Sequence, residues 1–169
     1  MKTYELLALS YRYPFPGRID QLRAGLDDVP TGAVRRSLER FLEDLERLTP
    51  TEWEELHTRT VDLGPLFAPY VGWVMWGENY KRGEFMSNLK REQDAAGIDP
   101  EGELPDHLDP VLRYLSSATD PLADLTEVLP PALKRMSETL QAAEPTNPYL
   151  HLLRATRDAV GEPVGGGAG

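Results

Sequence analysis

Residues 34–48 read VRRSLERFLEDLERL, and the apolar positions Val34, Leu38, Phe41, Leu42, Leu45 and Leu48 recur mainly at intervals of three and four. That spacing gathers them on one face of a helix and leaves Arg35, Arg36, Glu39, Arg40, Glu43 and Asp44 on the other, where opposite charges interleave as on a solvated surface. Thr31 stands where an N-cap would precede this helix. After it, Thr49, Pro50 and Glu52 supply a cap, a proline at the first helical position and a capping-box acid, predicting a second helix that carries Trp53, Leu56, Thr60 and Leu63.

The same periodicity extends outward. Tyr80, Met86, Leu89 and Gln93 predict a helix to about Ala96, stopped by Gly97; Leu108, Val111, Leu112 and Leu115 predict another. Leu133, Met136 and Leu140 mark a helix opened by the Pro130–Pro131 pair, and Asn147 with Pro148 caps a last one carrying Leu150, Leu153 and Ala155. Shorter helices are expected over 3–12 and 18–27. No run alternates apolar and polar residues as a strand would, and no fixed period repeats. The expected class is all-α: one multi-helix domain over 1–160, followed by a Gly-rich tail over 161–169 with nothing to bury.

Composition narrows the chemistry. In 169 residues, 40% are hydrophobic and 27% charged, enough apolar side chain for a continuous core. A net charge of −10 with no concentrated basic patch argues against nucleic acid as a partner. The absence of cysteine excludes disulfides, thiolate metal sites and thiol catalysis. Nothing at the N-terminus reads as an export signal, and no window is apolar enough for a membrane span, so a cytoplasmic protein without membrane insertion is expected. His57, His107 and His151 lie far apart with no second imidazole at helical ligand spacing, so no metal site and no cofactor are expected. Carboxylates at Asp99, Glu101, Glu103, Asp106 and Asp109 read as an acidic loop, and no serine has a nucleophile-elbow context. The sequence offers no catalytic residues and reads as a binding protein instead of an enzyme.

Two segments stand apart. Between Leu66 and Met86, Phe67, Tyr70, Trp73, Trp76 and Tyr80 crowd together with Gly72, Gly77 and Gly83. Glycines within helical stretches cost about 1 kcal/mol each relative to alanine, so close contact, a kink or a groove should compensate. Aromatics beside glycines suit a peptide-accepting groove as well as a plain core. The second segment is Gly102–Leu108, where Pro105 stiffens the approach, Asp106 and His107 sit at a helix start, and Leu108 begins a buried stripe.

Taken in order, these residues resemble the NarJ branch of the NarJ, TorD and DmsD family of assembly chaperones for molybdenum enzymes. Tyr13 and Pro14 after Leu6 and Leu7 resemble its early Tyr-Pro; Thr60 to Leu63 resemble its Phe-Asp segment; Arg82, Gly83 and Met86 resemble its Arg-Gly-x-x-Met helix. The run ELPDHL at 103–108, followed by Tyr114 and Leu115, is the strongest piece, and Asn147, Pro148 and Tyr149 also fit. The resemblance spans roughly residues 4–158.

It implies a TorD-like helical fold and a cytoplasmic protein that binds the immature catalytic (alpha) subunit, often at its N-terminal segment, until bis-molybdopterin guanine dinucleotide is inserted. The chaperone itself would carry no cofactor and act as a monomer or weak homodimer. The expected peptide-binding residues are Tyr70, Trp73, Trp76, Tyr80, Arg82, Glu103, Pro105, Asp106 and His107, with acidic residues near Asp106 meeting basic ones of the client. Val61 stands where the family has an aromatic, and Leu66–Trp76 lacks the histidines common in nitrate-reductase chaperones. The client is therefore open: a respiratory nitrate reductase is nearest, and a selenate, chlorate or dimethyl sulfide dehydrogenase-type enzyme is the alternative. A permanent structural subunit of a redox complex is the rival reading.

Overall fold

A computed structural model describes residues 1–63 and 65–161 of the chain. Those residues form nine α-helices: α1 (Thr3–Ser10), α2 (Arg18–Leu26), α3 (Ala33–Glu46), α4 (Pro50–His57), α5 (Val71–Trp76), α6 (Tyr80–Ala95), α7 (Leu108–Ser117), α8 (Ala123–Ala143) and α9 (Tyr149–Gly161). Among the described residues no strand occurs, only an isolated antiparallel bridge between Tyr70 and His107. The all-α expectation holds. The tail expected over 161–169 lies, beyond Gly161 at the end of α9, outside the described residues.

The decisive stretch folds as its spacing requires. Val34, Leu38, Phe41, Leu42 and Leu45 are all buried on one face of α3, which packs on α9. Phe41 meets Tyr149 edge to face with ring centroids 5.2 Å apart. Around that contact, α1 packs on α7, and α8 lies between α9 and α5. Leu6, Leu7, Leu89, Leu108, Leu112, Leu125, Leu129 and Tyr149 from five different helices share one core. No helix among the described residues is long and apolar enough to cross a membrane.

Of the side-chain N-caps expected for α3, α4 and α9, two form and one does not. Thr49 Oγ1 accepts the Glu52 N–H at 3.1 Å while Glu52 Oε1 accepts the Thr49 N–H at 2.8 Å, completing the capping box of α4. Asn147 Oδ1 accepts the Tyr149 N–H at 2.9 Å and so opens α9. Thr31, expected to cap α3, does not: Gly32 occupies the N-cap and no side chain accepts a hydrogen bond there.

Two elements depart from the expected pattern. The helix after Thr49 does not continue to Leu63; it gives way at Thr58–Asp62 to a π-helical turn, in which the Leu63 N–H reaches the carbonyl of Thr58 at 3.1 Å. The wider turn shifts the helical face, so Val61 turns inward at 8% exposure and Leu63 outward at 75%. Second, Pro130 and Pro131 do not open a helix. They sit inside α8, which starts at Ala123, with both rings exposed. Leu125 and Leu129, fully buried, extend the apolar stripe of Leu133, Met136 and Leu140 toward the N-terminus, and this burial offsets the backbone hydrogen bonds that the prolines cannot donate.

Candidate functional site

The two unusual segments meet. The Val71 N–H donates to the Asp106 carbonyl at 2.9 Å and the Leu108 N–H to the Pro69 carbonyl at 3.0 Å, clamping the start of α5 against the start of α7. Asp106, with no exposed surface, is the centre of this junction. Its Oδ2 accepts the Gly72 N–H at 3.0 Å and Arg82 Nε at 3.0 Å, and its Oδ1 accepts Arg82 Nη2 at 3.2 Å. A forked guanidinium and a backbone amide thus saturate one buried carboxylate, the arrangement that makes a desolvated ion pair tolerable. A Cβ at residue 72 would lie 2.8 Å from Asp106 Oδ2 and 2.9 Å from Arg82 Cγ, so only glycine admits the contact.

The other two glycines have different causes. Gly77 ends α5 with φ +60, a left-handed conformation suited to glycine. Gly83 lies within α6 with no atom near its would-be Cβ. The close contact expected to compensate for a glycine within a helix is found at Gly72; Gly77 lies past the end of α5, and Gly83 has no such contact.

Above the buried junction the side chains face outward. Trp73 is 41% exposed and Tyr80 72%. The Arg82 guanidinium carbon stands 5.6 Å from the Trp73 ring centroid and 5.9 Å from that of Tyr70, so a single cation ties the carboxylate below to the aromatic faces above. Tyr70 donates its hydroxyl to Glu103 Oε1 at 3.0 Å, and its ring meets His107 edge-on at 5.1 Å. Burial, then the Glu103 carboxylate, pushes the Tyr70 phenol up to about 12, so it remains a donor. Pro105 presents its carbonyl to Gln93 Nε2 at 2.8 Å and is held to α6. Trp76 is half-buried, its ring 5.3 Å from Phe85, and belongs more to the core than to the surface.

Most of the expected site residues therefore gather in one region but divide in role. Trp73, Tyr70 and Glu103 form the accessible face; Asp106, Arg82, Pro105 and His107 hold it in place; Tyr80 is exposed at the start of α6. Asp106 cannot meet a basic ligand, because Arg82 already neutralises it out of solvent.

His107 is the N-cap of α7: its Nδ1 accepts the Asp109 N–H at 3.0 Å, which leaves the proton of the neutral ring on Nε2. Burial pushes its pKa down and favours that neutral form. His57, distant in sequence, lines the same small polar cleft of about 170 Å³, together with Tyr13, Asp62, Glu101, Glu103 and Asp109. Trp53 Nε1 donates to the Tyr149 hydroxyl at 3.3 Å, and the same hydroxyl shares a hydrogen bond with His57 Nδ1 at 3.2 Å. Burial lowers the His57 pKa to about 4. No local pattern around His57 marks it as a neighbour of His107; the packing of α4 and its π-helical turn against the loop before α7 creates the cleft. Among the described residues no cluster of His, Asp and Glu is arranged to hold a metal ion.

No protein-family model matches the chain, and no curated protein is significantly similar to it.

Proposed function

We propose that this chain is a dedicated assembly chaperone of the NarJ type, acting in the cytoplasm. It binds the immature catalytic subunit of a molybdenum oxidoreductase, with a respiratory nitrate reductase as first candidate, and supports insertion of the molybdenum cofactor. The observation that carries the reading is the meeting of motif pieces widely separated in sequence. Arg82 of the Arg-Gly-x-x-Met helix and Asp106 of ELPDHL form one buried ion pair, and the exposed ring of Trp73 lies over that same guanidinium. An exposed tryptophan held over so well-determined a base supports the reading of a surface that receives another chain.

In this reading the partner's N-terminal segment lays apolar side chains against Trp73 and Tyr80, in the manner of a helix docking into a groove. Basic residues beside them meet Glu103, whose carboxylate is partly exposed. Part of the affinity is then electrostatic. Raising salt from low to physiological ionic strength, where charges are screened over about 8 Å, should weaken binding chiefly through slower association.

The test is capture of the candidate catalytic subunit from cells able or unable to make its cofactor. Retention of the cofactor-free subunit alone supports the assignment. Equal retention of both forms, or fixed-ratio co-purification with mature enzyme, overturns it in favour of a permanent subunit.

A further inference from the structure

Away from the aromatic face, α8 and α9 pack against each other. The buried stripe of α8 runs through Leu129, Leu133, Met136 and Leu140, which leaves Pro130, Lys134, Ser137 and Gln141, spaced by threes and fours, along an adjoining edge. On α9 the same spacing aligns Leu150, Arg154 and Arg157. The two edges bound neighbouring cavities of about 390 Å³ and about 610 Å³ that together make one groove. Arg154 and Arg157 line both; Ser137 and Leu150 line the first, and Pro130, Pro131 and Lys134 the second. The groove shares no residue with the junction at Asp106.

Two independent observations single it out. The first is that its cations are uncommitted. Arg23, Arg59 and Arg113 are paired with Glu46, Glu144 and Asp109. Lys134, Arg154 and Arg157, all exposed, have neither an ion pair nor a hydrogen bond among the described residues. Glu138 and Asp158 stand four residues beyond Lys134 and Arg154, at the spacing of helical ion pairs, yet neither pair closes. A chain of net charge −10 thus sets three free cations against two acids along one groove. The second observation is Ser137 Oγ, which is buried and without a hydrogen-bond partner although the residue lines the first cavity. A helical serine can turn back to a carbonyl of the preceding turn, as Ser10 does to Leu6 at 2.8 Å. A hydroxyl left unanswered at the wall of a groove calls for a polar group from outside.

We infer that the α8–α9 groove is a docking surface for an acidic polypeptide segment, whose carboxylates lie among Lys134, Arg154 and Arg157 while its backbone meets Ser137 Oγ. From Pro130 to Gln141 the α8 edge measures about 17 Å at about 1.5 Å per residue, so an extended segment of about five residues spans it. Glu138 and Asp158 interrupt the cations, and this decides the kind of anion. Separate acid side chains along a peptide pass between the two, whereas the continuous negative charge of a nucleic acid or an anionic lipid surface meets both and is repelled by the rest of the chain. Leu150 and the two proline rings add apolar contact for the residues between the acids. The inference is independent of the chaperone reading and stands or falls without it.

The test titrates the isotope-labelled full-length chain with a synthetic peptide of Glu-Leu-Ser repeats, about nine residues long and capped at both ends, and follows backbone amide shifts by NMR. Saturable shifts are expected over residues 130–142 and 150–158, and a peptide with Gln in place of Glu should not produce them. Arg154→Glu combined with Arg157→Glu, both at exposed positions, should raise the Kd at least about tenfold. Ser137→Ala should raise it about threefold, the loss of one hydrogen bond. Lys81→Glu, an exposed cation outside the groove, should leave it unchanged. The inference is overturned if the peptide shifts none of these amides at up to about 1 mM, or if the Gln peptide binds equally well. It is also overturned if inorganic phosphate or phosphatidylserine vesicles shift them and the peptide does not. A concentration-dependent dimer lost in the double arginine variant would assign the groove to a second copy of the chain instead. Shifts of the groove amides in a variant ending at Gly161, with no peptide added, would assign it to the chain's own last residues.

Discussion

Gly72 has no room for a side chain, and this makes it the most informative single position in the site. A methyl group there would push on the Asp106 carboxylate and the Arg82 stem, neither of which can retreat without losing a hydrogen bond. Gly72→Ala should therefore destabilise the fold by about 1 to 3 kcal/mol, the usual cost of overpacking, read as a lower urea midpoint. Gly83→Ala provides the contrast. With open space at its Cβ and a helical backbone, it should stabilise by about 0.5 to 1 kcal/mol, and an unchanged or lowered midpoint would contradict the geometry. Asp106→Ala strands the Arg82 guanidinium, whose side chain is only 17% exposed, and should cost about 3 to 5 kcal/mol. The sequence picked out Gly72, Arg82 and Asp106 as belonging to unusual segments. Their mutual contact was not legible, because it depends on α5 and α7 being clamped together across more than thirty residues of chain.

At the scale of elements, the sequence spoke most clearly where local chemistry decides. The α4 cap was legible in Thr49, Pro50 and Glu52 because its hydrogen bonds join residues three apart, and Thr49→Ala should cost about 1 kcal/mol. Thermal unfolding checks this directly. It spoke least clearly where burial overrules a local rule. The Pro130–Pro131 pair signals a helix start, yet Leu125 and Leu129 bury an extra stretch on its N-terminal side and draw the prolines into the interior of α8. Since both rings are exposed and each proline withholds an amide, Pro131→Ala should raise stability by about 1 to 3 kcal/mol. The π-helical turn was equally invisible: nothing in Thr58–Asp62 announces the wider turn, whose mark is that Val61 and not Leu63 reaches the core. The aromatic segment was read as a groove or a core; Trp76 packs inward against Phe85, while Trp73 stays exposed.

For the molecule as a whole, the buried imidazoles set a limit on acid stability. His57 titrates near 4 in the folded chain and near 6.5 when unfolded, because burial disfavours its charged form. Between those values the unfolded chain binds the proton and the folded chain does not, so stability falls as pH drops through that window. The loss from His57 alone approaches about 3 kcal/mol at its lower end. His107 is shifted in the same direction by its own burial and adds to the effect. Denaturant titrations between pH 7 and pH 4 should show the decline, and a flat profile would count against both buried neutral rings. The saturated carboxylate beneath Trp73 has a further consequence, for the history of such a protein. If Trp73 meets a partner as proposed, it can drift as partners diverge, whereas Gly72, Arg82 and Asp106 must be inherited together. Descendants of this chain should therefore differ more at Trp73 than at the three residues that hold one another beneath it.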